Sequence, residues 1–99
     1  MAVTDVEIGR ALNALSATLD DQKARRADPA RLQEIVTGSL GGERLIDVHE
    51  EPGSAGSAAW LQDRATGERV GEVRLAGDRW ATARTRDARN TRAYVPAKG

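Results

Sequence analysis

At Gly41-Gly42 the spacing of the apolar residues changes, and this break constrains the fold of the 99-residue chain more than any other feature. Before it, apolar residues recur every three or four positions. After it, they alternate with polar ones. The first period marks one face of a helix, the second one face of a strand. Residues 1–40 should therefore form a helical hairpin and residues 43–86 an antiparallel meander. The expected fold class is α+β: an N-terminal αα-hairpin packed on a C-terminal meander of about four strands, in one domain.

The helical part carries its own punctuation. In "TDVEIGRALNALSATLDDQKARR", 4–26, Thr4 and Glu7 have capping-box spacing, each side chain reaching the other residue's backbone N–H. Ile8, Ala11, Leu12, Leu15 and Leu19 fall on one stripe. Lys23, Arg25 and Arg26 are placed in the last turn, where the helix dipole favours cations. In "ADPARLQEIVTGSLGG", 27–42, Asp28 is the N-cap and Pro29 the first helical residue. Leu32, Ile35 and Val36 make a short apolar face, and Gly38 is the expected C′ residue.

The strand part reads as "ERLIDVHEE" (43–51), a loop "PGSAGS" (52–57), then "AAWLQDR", "ERVGEVRLA" and "RWATARTR". Thr66-Gly67 and Gly77-Asp78 separate the last three and are hairpin signals. Ile46 and Val48 share one face. Two-residue turns at both hairpins set Trp60 opposite Val73 and Leu75 opposite Trp80. Both tryptophans then lie beneath the helices, buried and close together, while Asp63, Glu72, Arg74 and Arg79 face solvent. A type I turn with a glycine bulge at "ATGE" would slip the register by one residue and turn Trp60 to the other face. The two-residue register is preferred because it unites the apolar residues. Residues 87–99 read as a polar tail.

Arginine recurs at 64, 69, 74, 79, 84 and 89. A spacing of five alternates faces along a strand, so the repeat is not a linear binding motif. The preferred register rebuilds part of it, bringing Arg64, Arg69, Arg84 and Arg86 to one end of the tryptophan face. Opposed like charges destabilise a sheet, so this cluster needs a carboxylate or an external anion. Asp20, Asp21, Glu50 and Glu51 are the internal candidates.

Composition bounds the function. Alanine accounts for 17 residues, Leu, Ile and Val together for 18, and there is no Phe, so the core is thin. A domain of this size buries only about 60–65% of its unfolded surface, and a partner or second copy would supply further apolar area. Charge is balanced overall but not along the chain: residues 1–63 hold 6 basic and 11 acidic side chains, residues 64–99 hold 9 and 4. There is no cysteine, no membrane-length apolar run, and no leader-like character in "MAVTDVEIGR". The expected location is cytoplasmic.

Catalytic constellations are missing from the pattern. His49 is the single histidine, read as a surface residue near a strand end, so no metal site is expected. Ser39, Ser54 and Ser57 lie in small-residue loops without a nucleophile elbow. "GSAGS" lacks a P-loop lysine. No cofactor or enzyme activity is expected. No family motif is recognised; the arrangement is generic among small accessory proteins of bacteria and phages. The first expectation is a non-catalytic interaction domain that binds another protein or itself through the helix face Ile8, Leu12, Leu15 and Leu19, or through an edge strand. The alternative is nucleic-acid binding by the arginine and tryptophan sheet face, against which stands a sequence pI near 6.6.

Overall fold

A computed structural model describes residues 2–85. Helix α1 spans Asp5–Asp21 and α2 spans Pro29–Ser39. Strands β1 (Ile46–Glu50), β2 (Ala58–Asp63), β3 (Arg69–Ala76) and β4 (Arg79–Ala83) form one antiparallel sheet in the order β1-β2-β3-β4. The α+β expectation, a helical pair followed by a four-stranded meander, is what the chain adopts.

Both helix starts follow the sequence. The Glu7 N–H donates to Thr4 Oγ1 at 3.1 Å, and the Thr4 N–H donates to Glu7 Oε1 at 2.9 Å. Val3 and Ile8, the positions of a hydrophobic staple, are both buried. Asp28 caps α2 by accepting from the Ala30 N–H at 3.3 Å.

Both helix ends differ from expectation. α1 stops at Asp21, so Lys23, Arg25 and Arg26 lie beyond it. Lys23 takes a left-handed conformation (φ 51°), and the Lys23 and Ala24 N–H groups donate to Asp20 O and Leu19 O. These are the two bonds of a Schellman motif, with lysine where glycine is usual. α2 ends in the same way three residues later than Gly38. Gly41 (φ 75°) is the C′ residue, and the Gly42 N–H reaches Thr37 O at 2.9 Å.

The helices cover one face of the sheet, α1 against β3 and β4, α2 against β1. One core results: Ile8, Leu12, Leu15 and Leu19 meet Leu32 and Val36 and the inward strand residues Ile46, Val48, Leu61, Val70, Val73 and Trp80. Gly71 is the point of closest approach. A Cβ there would lie 3.3 Å from both Leu12 methyl carbons and 3.4 Å from Ala83 O, so the missing side chain lets α1 settle on β3.

The hairpin β3–β4 closes on Gly77-Asp78, with Leu75 opposite Trp80, as expected. The hairpin β2–β3 does not close on Thr66-Gly67. Its loop is Arg64–Gly67, closed by the Asp63 N–H to Glu68 O at 2.8 Å and the Gly67 N–H to Asp63 O at 2.8 Å. Gln62 pairs with Arg69, Leu61 with Gly71 and Trp60 with Glu72, leaving Val70 as the extra residue of a β-bulge. The bulge reverses the expected faces. Val70 and Gly71 both turn inward, and Trp60 pairs with Glu72 rather than Val73. Trp60 therefore lies on the face away from the helices, opposite Trp80. Asp63, expected in solvent, is fully buried. Its carboxylate accepts the Val3 N–H at 3.0 Å and the Ala65 N–H at 2.9 Å.

Candidate functional site

The open face of the sheet is built on Trp60. His49 stands directly opposite it on β1, their rings stacked with centroids 4.5 Å apart and planes 27° from parallel. From the β3 side the Arg69 guanidinium carbon lies 4.9 Å from the Trp60 ring centroid. The indole is thus flanked by an imidazole from one neighbouring strand and a cation from the other. All three side chains are half-buried.

Polar bonds hold this group in place. Gln62 Nε2 donates to Gly67 O at 3.0 Å, which orients the amide. Gln62 Oε1 then accepts from the His49 Nε2–H at 2.9 Å, so the hairpin loop fixes the imidazole. Arg69 Nη2 pairs with Glu51 Oε1 at 2.8 Å and Glu72 Oε1 at 3.5 Å; Glu72 Oε2 lies 3.7 Å from Arg74. The signs alternate from Glu51 through Arg69 and Glu72 to Arg74, the last three on β3, so each guanidinium has a carboxylate beside it. The acidic partner expected for the arginines is realised at Arg69 by Glu51.

The expected arginine cluster does not assemble. Arg69 is on the Trp60 face. Arg64 is exposed at the start of the β2–β3 loop, its N–H donating to Leu45 O at 3.1 Å. Arg84 lines a groove on the helix side with Gly9, Leu12 and Asn13. Arg86 lies outside the described residues. The physical reason is the bulge at Val70: it turns Arg69 and Trp60 out together while β4 keeps its phase. The expected helix contact face is also committed elsewhere, because Ile8, Leu12, Leu15 and Leu19 are 0 to 3% exposed within the chain's own core.

His49 is the residue that sequence reasoning undervalued. Its spacing from Trp60 carries no signal; only the β1–β2 register brings the rings together. Gly71 was the legible sign of the bulge, since glycine inside a strand marks a bulge or a close approach. Among the described residues, no three His, Asp or Glu side chains converge as a metal ion would require. No described helix is long and apolar enough to cross a membrane. No protein-family model, curated protein or solved structure matches the chain.

Proposed function

We propose that this chain is a small non-catalytic protein-interaction domain, an adaptor, inhibitor or assembly component of the cytoplasm, and that it binds through the Trp60 face of its sheet. The observation that carries this reading is the partly exposed Trp60, held between His49 and Arg69 on a face that neither α1 nor α2 covers. Tryptophan and arginine dominate the energetics of protein contacts, and they do so best when already ordered before binding. Here the ordering is built in by Gln62, Glu51 and Glu72.

The nucleic-acid alternative draws less support from this geometry. A base needs a free aromatic face to stack on, and Trp60 has a neighbour on each side. A phosphate needs an uncompensated cation, and Arg69 already sits between two carboxylates.

The test is affinity capture from an extract of the source cells with the wild type and with Trp60→Ala and Arg69→Ala. A protein retained by the wild type and lost from both folded variants supports the reading. In parallel, gel shifts with DNA and RNA across a salt series probe the alternative. A shift that weakens steeply with salt and vanishes in Trp60→Ala would replace the protein partner with a nucleic acid.

A further inference from the structure

The charges on the Trp60 face of the sheet change sign from one side to the other. Three rows cross this face, each with one residue from β1 or its continuation, one from β2 and one from β3. The register sets Asp47 beside Gln62 and Arg69, and His49 beside Trp60 and Glu72. Just past β1, the Glu51 N–H donates to Ala58 O at 3.0 Å, so the third row is Glu51, Ala58 and Arg74. The β1 side thus reads carboxylate, imidazole, carboxylate. The β3 side reads guanidinium, carboxylate, guanidinium. Between them the β2 column of Gln62, Trp60 and Ala58 holds no charge, and Trp60 is its middle.

A face patterned in this way is complementary to itself. A two-fold axis through Trp60 and parallel to β2 lays the β1 side of one copy over the β3 side of the other and keeps each row at its own level. Asp47 then faces the second copy's Arg69, His49 faces the second copy's Glu72, and Glu51 faces the second copy's Arg74. The axis makes each contact twice. No row sets like charges against each other. The two β2 strands run in the same direction, as in the aligned packing of two sheets about 10 Å apart. The pairs within one chain, Glu51 with Arg69 and Glu72 with Arg74, stay in place, because a carboxylate has two oxygens and can serve a second guanidinium. The Arg74 side chain is 54% exposed and 3.7 Å from its carboxylate, which leaves it room to do so.

We infer that the Trp60 face binds the same face of a second copy of this chain, giving a two-fold dimer centred on Trp60. The inference rests on the reading of this face as the binding surface and names its partner. Two features besides charge support it. Trp60 is only half-buried in the single chain, and pairing would cover it, adding apolar contact to a domain whose core is thin. The groups around the indole are already held, Gln62 by Gly67 O and Arg69 by Glu51 and Glu72, so little side-chain freedom is lost on pairing.

Sedimentation of the full chain over a concentration series is the test. The wild type should pass from monomer to dimer, and Trp60→Ala should weaken the association at least about tenfold, as loss of a central aromatic contact does. Two charge reversals test the alignment. Glu51→Arg would set cation against cation at both Glu51–Arg74 contacts, and Arg74→Glu would set carboxylate against carboxylate. Each variant alone should associate at least about tenfold more weakly than the wild type. Mixed in equal amounts, the two should form a heterodimer, because both contacts again join opposite signs. A general loss of stability cannot imitate that result. In Trp80→Phe, the Trp60 emission should move to the blue and lose iodide quenching as the concentration rises. A wild type that stays monomeric at every concentration, a dimer that Trp60→Ala leaves intact, or no heterodimer from the mixed variants would overturn the inference. The first outcome leaves the Trp60 face to a different protein, whereas capture that ignores both Trp60→Ala and Arg69→Ala removes the face itself.

Discussion

The hairpins β2–β3 and β3–β4 share one strand and differ in how they are made. β3–β4 closes on Gly77-Asp78 and its ladder runs without interruption. β2–β3 closes on the longer loop Arg64–Gly67 and carries a bulge at Val70. Loop length alone does not separate their outcomes. Two-residue and four-residue loops both leave Trp60 on the face of Val73, because they differ by an even number of positions in the pairing. The bulge adds the odd residue. It sends one tryptophan into the core and the other out to the open face. A single unpaired valine thus decides which side of the domain offers an aromatic surface.

The largest effect that would break this comparison is truncation of the two tryptophans. Trp80 is 3% exposed, and its Nε1–H donates to Ala24 O at 2.8 Å. Trp80→Ala should cost about 3–5 kcal/mol, the range for large aromatic residues removed from a core. That is a large share of the 5–15 kcal/mol typical of a whole domain. Trp60→Ala removes two cross-strand contacts on a partly wet face, with His49 and with Arg69, and should cost about 1–2 kcal/mol. Urea denaturation of both variants measures the difference. Equal losses would mean that the two faces are equally buried and that the bulge does not part the tryptophans.

A smaller effect tests why the bulge is tolerated. In Gly71→Val the new side chain would meet Leu12 and the Ala83 carbonyl inside ordinary contact distance. Overpacking of this kind costs about 1–3 kcal/mol. Combining it with Leu12→Ala should recover part of the loss, because the same space is relieved. A neutral Gly71→Val would show that α1 does not rest on β3 at this point.

Fluorescence sharpens the comparison without measuring stability. Trp60→Phe leaves Trp80 as the single emitter, and Trp80→Phe leaves Trp60. The Trp80 spectrum should be blue-shifted and poorly quenched by iodide. The Trp60 spectrum should lie further to the red and respond to iodide. Matching spectra would return both rings to one environment.

How far the sequence could be read follows from the same two hairpins. The helices were legible because their evidence is local: Thr4 with Glu7, Asp28 with Pro29, and a stripe of five apolar residues. The Gly77-Asp78 turn was legible for the same reason. Lys23 at a helix C′ position was not, since only the bonds from Lys23 and Ala24 reveal the motif. The candidate site was legible in part. Arg69, its acidic partner Glu51 and its place on the face of Trp60 could be expected. That this face lies outside was legible only as the alternative register; choosing it depends on how Val70 and Gly71 fit under Leu12, a contact between residues far apart in the chain. Asp63 was misplaced by the same bulge: its carboxylate caps its own loop through Ala65 and ties down Val3, bonds that no pattern of alternation encodes.

The smallest expected effect bears most directly on the open face. Arg69 touches Trp60, Glu51 and Glu72, and its side chain is 39% exposed. Ion pairs with this much solvent contribute about 0.2–1 kcal/mol, and a partly exposed cation over an indole about 0.5–1 kcal/mol. Arg69→Ala should therefore lower stability by about 1 kcal/mol, and added salt should shrink the ionic part of that loss. A double-mutant cycle separates the contributions. Coupling between Arg69→Ala and Trp60→Ala should be about 0.5–1 kcal/mol and nearly independent of salt. Coupling between Arg69→Ala and Glu51→Gln should fall as salt rises. If Arg69 and Trp60 do not couple, the guanidinium is held by its carboxylates alone. The indole would then have one side free, and base stacking would regain the support that the present geometry withholds from it.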